Sequence, residues 1–391
     1  MILQSRNGGL VMAIENFSVY NYDYYGKLNY HYKPEKGWVN DPNGLIYFNG
    51  YYHLFYQHLP NAEVPGSGLI MYWGHARTKD FINWEEMPIA LSPDMPYDGG
   101  GCWSGTAIIK DDILYVFYAS IHYIDEKRIE TVSVAYSKDG INFTKYENNP
   151  VIKGYPADGF PDFRDPALTY YNGKYYCIMA TGSGTAPTDK EKYGRLLAYE
   201  SEDLLNWEYS GIVSEWNDCY FTECPSIIPL NDDKVILSCS VVPTDWKHYF
   251  DIMIGNFKDT KFNCEFKGSY DKGPDLYAGQ MFKDHLGRIL VITWIPGWYL
   301  KLPRCAGTWS VPREVTFKNG KIYGYPVKEL QHFLKDSDEA VKITEDGFIV
   351  ERTDREPLIY NGPTDNIKIL RDGYILEIFV NDGEEVYTVL L

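Results

Sequence analysis

Short apolar and aromatic runs of strand length, each following a polar turn, recur along most of the chain. They are YYHLFYQ from Tyr51, ILYVFYAS from Ile113, KYYCIMA from Lys174, KVILSCS from Lys234 and RILVITW from Arg288. The turns before them are Asn49-Gly50, Asp111-Asp112, Asn172-Gly173, Asp232-Asp233 and the segment around Asp284–Gly287. Turn residues flanked by alternating or continuous apolar runs predict β-hairpins. The period is roughly 60 residues, which fits a unit of four short strands, the size of a propeller blade. One such sheet cannot bury both of its faces, but a closed ring of blades can. Two further echoes share the period. "DFINWE" begins at Asp80, "DGINFTK" at Asp139 and "DLLNWE" at Asp203. Asp41-Pro42, Asp165-Pro166 and Glu223-Cys224-Pro225 precede the first, third and fourth turns by eight, seven and nine residues.

The predicted architecture is all-β: a five-bladed β-propeller followed by a short C-terminal β-sandwich-like domain. The blades are assigned to residues 29–326, after an N-terminal arm of residues 1–28. Beyond Pro326 the segment VKELQHFL reads as a short helical link. Within residues 327–391, Asp346-Gly347, Asn361-Gly362, Asp372-Gly373 and Asp382-Gly383 separate short strands. The competing reading is an irregular β-sandwich with coincidental turns. Five turns in register and three echoes argue against it.

Composition narrows the function. Aromatic residues make up 16% of the chain. They suit strands and sugar rings alike, and most of them are expected in the core. The formal net charge of −17 argues against nucleic acid and anionic membranes as partners. No apolar run approaches the ~20 residues needed to cross a bilayer. Residues 1–12 do not read as a signal peptide, which points to a cytoplasmic protein, and both Met1 and Met12 stand as candidate starts. The seven cysteines include no CxxC pair and no zinc-like spacing, so reduced core thiols are expected, with packing roles for Cys219 and Cys224.

The repeat has a chemical consequence. If the strand leading into each turn is the innermost of its blade, Asp41, Asp165 and Glu223 hold equivalent places and meet at one end of the channel. Clustered carboxylates in an aromatic pocket suit glycoside hydrolysis, where one attacks the anomeric carbon and another protonates the leaving oxygen. Like charges this close raise the pKa of one member. The competing reading is three solvated turn carboxylates.

"GWVNDPNG" (Gly37–Gly44), "FRDP" (Phe163–Pro166) and "TECP" (Thr222–Pro225) resemble, in order, three motifs of glycoside hydrolase family 32, the invertase and fructanase family. "FYQ" ending at Gln57, "YWGHA" from Tyr72, "CWSGTA" from Cys102, "DLYAGQMF" from Asp275 and "WSVPREVTF" from Trp309 are also similar to family segments, over roughly residues 30–330. The resemblance implies a five-bladed propeller followed by a β-sandwich. It implies Asp41 as nucleophile, Asp165 as transition-state stabiliser and Glu223 as acid/base. It also implies Asn40, Gln57, Trp73, Ser104 and Arg164 around a fructosyl ring, with Trp38 and Trp103 as walls. His75 and His58 are expected to support the site rather than act as bases. No cofactor and no metal are implied. The expected substrate is a small sugar: sucrose, sucrose 6-phosphate or a short fructo-oligosaccharide. A phosphate would call for basic residues at the mouth, for which Lys247, His248 and Arg304 are candidates.

Two departures stand out. Ser226 takes the place of an acidic residue usual after the third motif. The C-terminal region is also well under half the family's usual sandwich, which leaves open a homo-oligomer formed through it. The alternatives are a fructosyltransferase on the same site, an inverting arabinoside-acting propeller, and a catalytically inactive fructoside-binding protein.

Overall fold

The computed structural model describes residues 28–61, 70–184, 193–296, 307–353 and 355–391, together with two short paired strands, Leu3–Gln4 and Leu10–Val11. Each turn-flanked run pairs with the strand before it, and the hairpins extend into antiparallel sheets. The first sheet is β1 (Trp38–Phe48), β2 (Tyr51–Leu59), β3 (Tyr72–Thr78) and β4 (Trp84–Leu91). The second is β5 (Gly101–Lys110), β6 (Ile113–Ile124), β7 (Lys127–Ser137) and β8 (Thr144–Lys145). The third is β9 (Asp162–Tyr171), β10 (Lys174–Gly182), β11 (Tyr193–Ser201) and β12 (Glu208–Asn217). The fourth is β13 (Cys219–Pro229), β14 (Lys234–Pro243), β15 (Tyr249–Lys258) and β16 (Lys261–Ser269). The fifth is β17 (Tyr277–Lys283), β18 (Ile289–Ile295), β19 (Thr308–Trp309), β20 (Arg313–Lys318) and β21 (Lys321–Pro326), with β19 pairing β18 off the main path.

The first strand of every sheet is the innermost. β1 packs on β5, β5 on β9, β9 on β13, β13 on β17, and β17 returns to β1, closing a five-bladed propeller. The burial follows the position. β1 is mostly buried, whereas the outer strands β4 and β16 are largely exposed and carry Glu85, Glu86, Lys261 and Lys267, charges that discourage pairing with another chain at a free edge. The Asp80, Asp139 and Asp203 echo is one turn used three times. In each, the aspartate accepts from the backbone N–H groups two and three residues on, at 2.7–2.9 Å, which fixes the hairpin between the third and fourth strands.

The segment after Pro326 forms a short 3-10 helix, Lys328–Phe333. Two three-stranded sheets follow. One is β22 (Val341–Ile343), β23 (Gly347–Val350) and β24 (Leu358–Asn361). The other is β25 (Ile367–Asp372), β26 (Ile375–Val380) and β27 (Glu385–Leu390). Phe348, Val350 and Tyr360 of the first sheet share a buried cluster with Ile369, Ile378 and Val389 of the second. Leu370, Phe379 and Val386, on the second sheet's other face, join the core of the propeller. A reduced sandwich therefore does form, and the propeller itself covers one outer face. Among the described residues, no helix is long and apolar enough to cross a membrane.

A buried charge network fastens this sandwich to the ring. Arg313 and its partners Asp271 and Glu377 have fully buried side chains, with ion pairs of 2.6 and 2.8 Å, and Arg313 also donates to the Thr388 hydroxyl at 2.7 Å. His31 sits between Asp372 and Glu377 at 3.0 and 2.9 Å. Burial alone would lower its pKa, but hydrogen bonds to the two carboxylates override this and raise it to about 9. The contribution of His31 to stability is thus complete below pH ~6.5 and lost as pH rises through about 9. Arg313→Ala leaves Asp271 buried without its cation and Glu377 with His31 alone, and is expected to cost about 3–5 kcal/mol in urea unfolding at pH 7. An unchanged midpoint would show that the network contributes nothing net.

Candidate active site

All five innermost strands carry a bulge near their start. The register slips between Val39 and Pro42, Cys102 and Gly105, Arg164 and Ala167, Glu223 and Ser226, and Tyr277 and Gln280. In each case two residues oppose one on the neighbouring strand, so the chain bends and re-aims its side chains. Asp165, Cys224 and Ala278 hold the first bulge position at φ of 58°, 47° and 49°, a conformation that non-glycine residues rarely adopt outside constrained sites. Pro166 and Pro225 fill the second position, where the interrupted ladder does not demand an N–H. In the first strand, Gly44 has φ 55°, and a Cβ there would lie 2.8 Å from the Phe55 ring. Only glycine suits that turn of the motif.

The three acids do not occupy equivalent places, contrary to the sequence-based expectation. Glu223 stands just before its bulge, Asp165 at the first bulge position and Asp41 at the second. Ser104 matches Asp41 in the second blade, and Tyr277 matches Glu223 in the fifth. Different positions about the bulge, on three of the five inner strands, aim the carboxylates at one point from different directions.

The contacts show this convergence. Ser104 Oγ donates to Asp41 Oδ2 at 2.6 Å, Gln57 Nε2 to the same oxygen at 3.2 Å, and Asn40 Nδ2 to Oδ1 at 3.1 Å. Gln57 and Ser104 are also hydrogen-bonded to each other. Arg164 clamps Glu223 Oε1 through Nη2 at 3.0 Å and Nε at 3.3 Å, while its Nη1 reaches Asp162 at 2.8 Å. Tyr277 donates its hydroxyl to Glu223 Oε2 at 2.5 Å. The Cys224 backbone N–H donates to Asp165 Oδ2 at 2.9 Å. Its thiol lies 3.5 Å from Asp41 Oδ2 and 3.7 Å from Asp165 Oδ2, so one sulfur touches both carboxylates. Asp165 Oδ1, Asn40 Oδ1 and Trp103 Nε1 are buried with no hydrogen-bond partner among the described residues.

The electrostatics follow from crowding. Burial and then the Glu223 charge raise Asp41 to about 6, against hydrogen bonds from Ser104, Asn40 and Cys224 that pull it down. Burial also holds Asp165 well above the ordinary carboxylate range. Arg164 opposes that shift, and the charges of Glu223 and Asp41 add to it.

Other predicted residues fall where packing decides. Trp73 is 0% exposed and packs in a core cluster with Phe55 and Tyr118, its indole N–H donating to the Trp103 carbonyl at 2.9 Å. It braces the wall from behind and does not offer its ring to a sugar, because the second blade covers it; this corrects the expected substrate contact. Trp38 is likewise buried, edge-on to Trp294. Trp103 is half-buried, with Arg128 4.2 Å from its ring centre. His75 contacts His53 at 2.9 Å and His58 the Trp38 carbonyl at 2.9 Å; burial lowers the pKa of both, which suits neutral scaffolding. Ser226 accepts from the Met281 N–H at 3.0 Å, tying the fourth blade to the fifth. His248 lies against Tyr277, with ring centres 5.0 Å apart, while Lys247 is highly exposed beside Asp245. Arg304 and Cys305 lie outside the described residues. Sequence reasoning missed the roles of Tyr277 and Cys224. Placing "YAG" of the fifth repeat over "ECP" of the fourth would have pointed to Tyr277.

A closed five-bladed ring with three carboxylates gathered at one mouth defines a propeller glycosidase. The profile of the Glycosyl hydrolases family 32 N-terminal domain matches residues 31–326. A sucrose-6-phosphate hydrolase of Zymomonas mobilis is 29% identical over 369 residues, covering 88% of this chain and 69% of that protein. A raffinose invertase of Escherichia coli is 30% identical over 322 residues, covering 77% of this chain and 65% of its own length. The chain thus spans about two thirds of the length of these curated relatives. A family 32 β-fructofuranosidase of Bombyx mori, solved as a mutant in complex with sucrose, superposes with a TM-score of 0.78 at 27% identity, covering 93% of this chain and 89% of that one. The chain belongs to glycoside hydrolase family 32. Its chemistry is that of a β-fructofuranosidase, a hydrolase of O-glycosyl bonds.

Proposed function

We propose that the chain removes the terminal β-fructofuranosyl unit of sucrose or sucrose 6-phosphate with retention of configuration, through the carboxylates Asp41 and Glu223. The observation that carries this is the paired environment of the two acids. Asp41 accepts from Asn40, Gln57, Ser104 and the Cys224 thiol, an arrangement that fixes a carboxylate for attack. Glu223 is held by Arg164 and Tyr277 at the same mouth. Asp41 attacks C2 of the fructosyl unit as Glu223 protonates the leaving oxygen. Glu223 then takes a proton from water, which releases fructose from Asp41. Asp165 faces the ring, and its free Oδ1, with Asn40 Oδ1, supplies acceptors for sugar hydroxyls as the ring gains positive character.

The test is parallel release of fructose from sucrose, sucrose 6-phosphate, kestose and inulin. Sucrose and its 6-phosphate are expected to be cleaved with the highest kcat/KM and inulin with the lowest. Proton NMR of the first anomer released should show the β form. An α first product would replace retention with inversion, and oligosaccharide products dominating at high sucrose would replace hydrolysis with transfer.

A further inference from the structure

Behind the pocket wall lies a buried chain of charges. Glu130, on β7 of the second blade, is 5% exposed. Its Oε1 lies 2.8 Å from Arg128, whose guanidinium covers the Trp103 ring. Its Oε2 accepts from the Phe163 N–H at 2.8 Å and lies 3.8 Å from Arg164 Nη1. Arg164 in turn holds Glu223. A carboxylate costs several kcal/mol to bury, so two cations and an N–H converging on it mark a built arrangement.

We propose that Glu130 is a positioning residue that fixes Arg164 from behind and, by its own negative charge, offsets part of the Arg164 field at Glu223, which serves the proton transfer to the leaving oxygen. Arg164 is shared among Glu223, Asp162 and Glu130, with Asp165 adjacent on its own strand. Glu223 faces Arg164 from β9, Tyr277 from β17, the Asp41 and Asp165 carboxylates, the Cys224 thiol next to it, the Cys239 thiol at its carbonyl, and His248 across the mouth. Of these, only Arg164 is a permanent cation. Coulomb interactions add, so the negative charges of Glu130 and Asp162 offset part of the Arg164 field at Glu223. Glu130 touches neither reacting atom; its effect passes through Arg164.

The experiment compares the pH dependence of kcat on sucrose for the wild type, Glu130→Gln, Arg128→Gln and the double variant. Glu130→Gln keeps an acceptor for the Phe163 N–H and removes the charge. It is expected to move the basic limb of kcat to lower pH by about half a unit or more, and to lower kcat several-fold at pH 7 with little change in KM. Arg128→Gln leaves Glu130 to act on Arg164 alone and is expected to move the same limb to higher pH. In the double variant the Arg128 effect should shrink, because its route through Glu130 is gone. Limbs that stay put in both single variants, or that move in the same direction, would overturn the proposal, as would a rise in KM at constant kcat. Should Glu130→Gln not fold, the direction of the Arg128→Gln shift decides alone. The inference rests on Glu223 being the acid/base. That reading fails separately, if Glu223→Ala cleaves sucrose normally.

Discussion

Asp41→Asn is expected to lower kcat on sucrose by roughly 10⁴-fold or more while the protein stays folded. The amide keeps the shape of the carboxylate and can still accept from Ser104, so the pocket should hold its form. What it cannot do is bond to C2 of the sugar. The same residue predicts the acid side of the pH profile. Asp41 attacks only when ionised, and burial with the Glu223 charge raises it to about 6. The kcat/KM of the wild type should therefore rise through about pH 6 and fall off below it. A raised carboxylate is also a stability cost, because above its unfolded pKa the folded state holds a charge it would rather neutralise. At pH 7 the melting temperature of Asp41→Asn should thus be no lower than that of the wild type. Activity within tenfold of the wild type, after exclusion of deamidation to Asp, would remove Asp41 from the mechanism.

The acids and the ring were legible in sequence for a physical reason. Each blade must solve the same packing problem, so turn residues and aromatic runs recur, and a strand leading into an Asn49-Gly50-type turn has only one place in a closed ring. The places of the acids within their strands were not legible. Asp41, Asp165 and Glu223 precede their turns by eight, seven and nine residues, and these counts mix the bulge position of each acid with a second register shift between Asn43 and Ile46 in the first blade. Their meaning was hidden because a bulge depends on which strand residue lacks a partner, and that is a property of two strands. Trp73 shows the converse limit. Its segment looks like pocket, but the neighbouring blade seals its ring at 0% exposure. Cys224 reads as a core thiol and is one, yet its Sγ also contacts both Asp41 and Asp165, a convergence of three separate inner strands that no single segment shows. The short C-terminal region raised the question of a missing sandwich. Two three-stranded sheets suffice because β25–β27 bury one face on the propeller and the other on β22–β24.

Glu223→Ala should separate the two halves of the reaction. On sucrose the departing alkoxide needs a proton, so loss of the acid is expected to lower turnover by about 10²–10⁴-fold. On an aryl fructoside with an acidic phenol, such as p-nitrophenyl β-D-fructofuranoside, the leaving group needs little help and Asp41 is still fixed by Ser104 and Gln57. The first step should then stay fast while the second stalls, because no base remains to activate water. A burst of nitrophenol equal to the enzyme concentration is the expected trace, followed by slow turnover and a low KM. Azide attacks without base assistance, so it should speed that slow phase and yield β-fructosyl azide. With Asp41→Asn, azide should yield no β-fructosyl azide, since no fructosyl-enzyme forms there. Equal losses on sucrose and the aryl fructoside, with neither burst nor azide response, would mean that Glu223 shapes the pocket without moving the proton. The transfer would then have to be reassigned among the remaining groups at that mouth, with Asp165, held above the ordinary carboxylate range by its own burial, the first candidate.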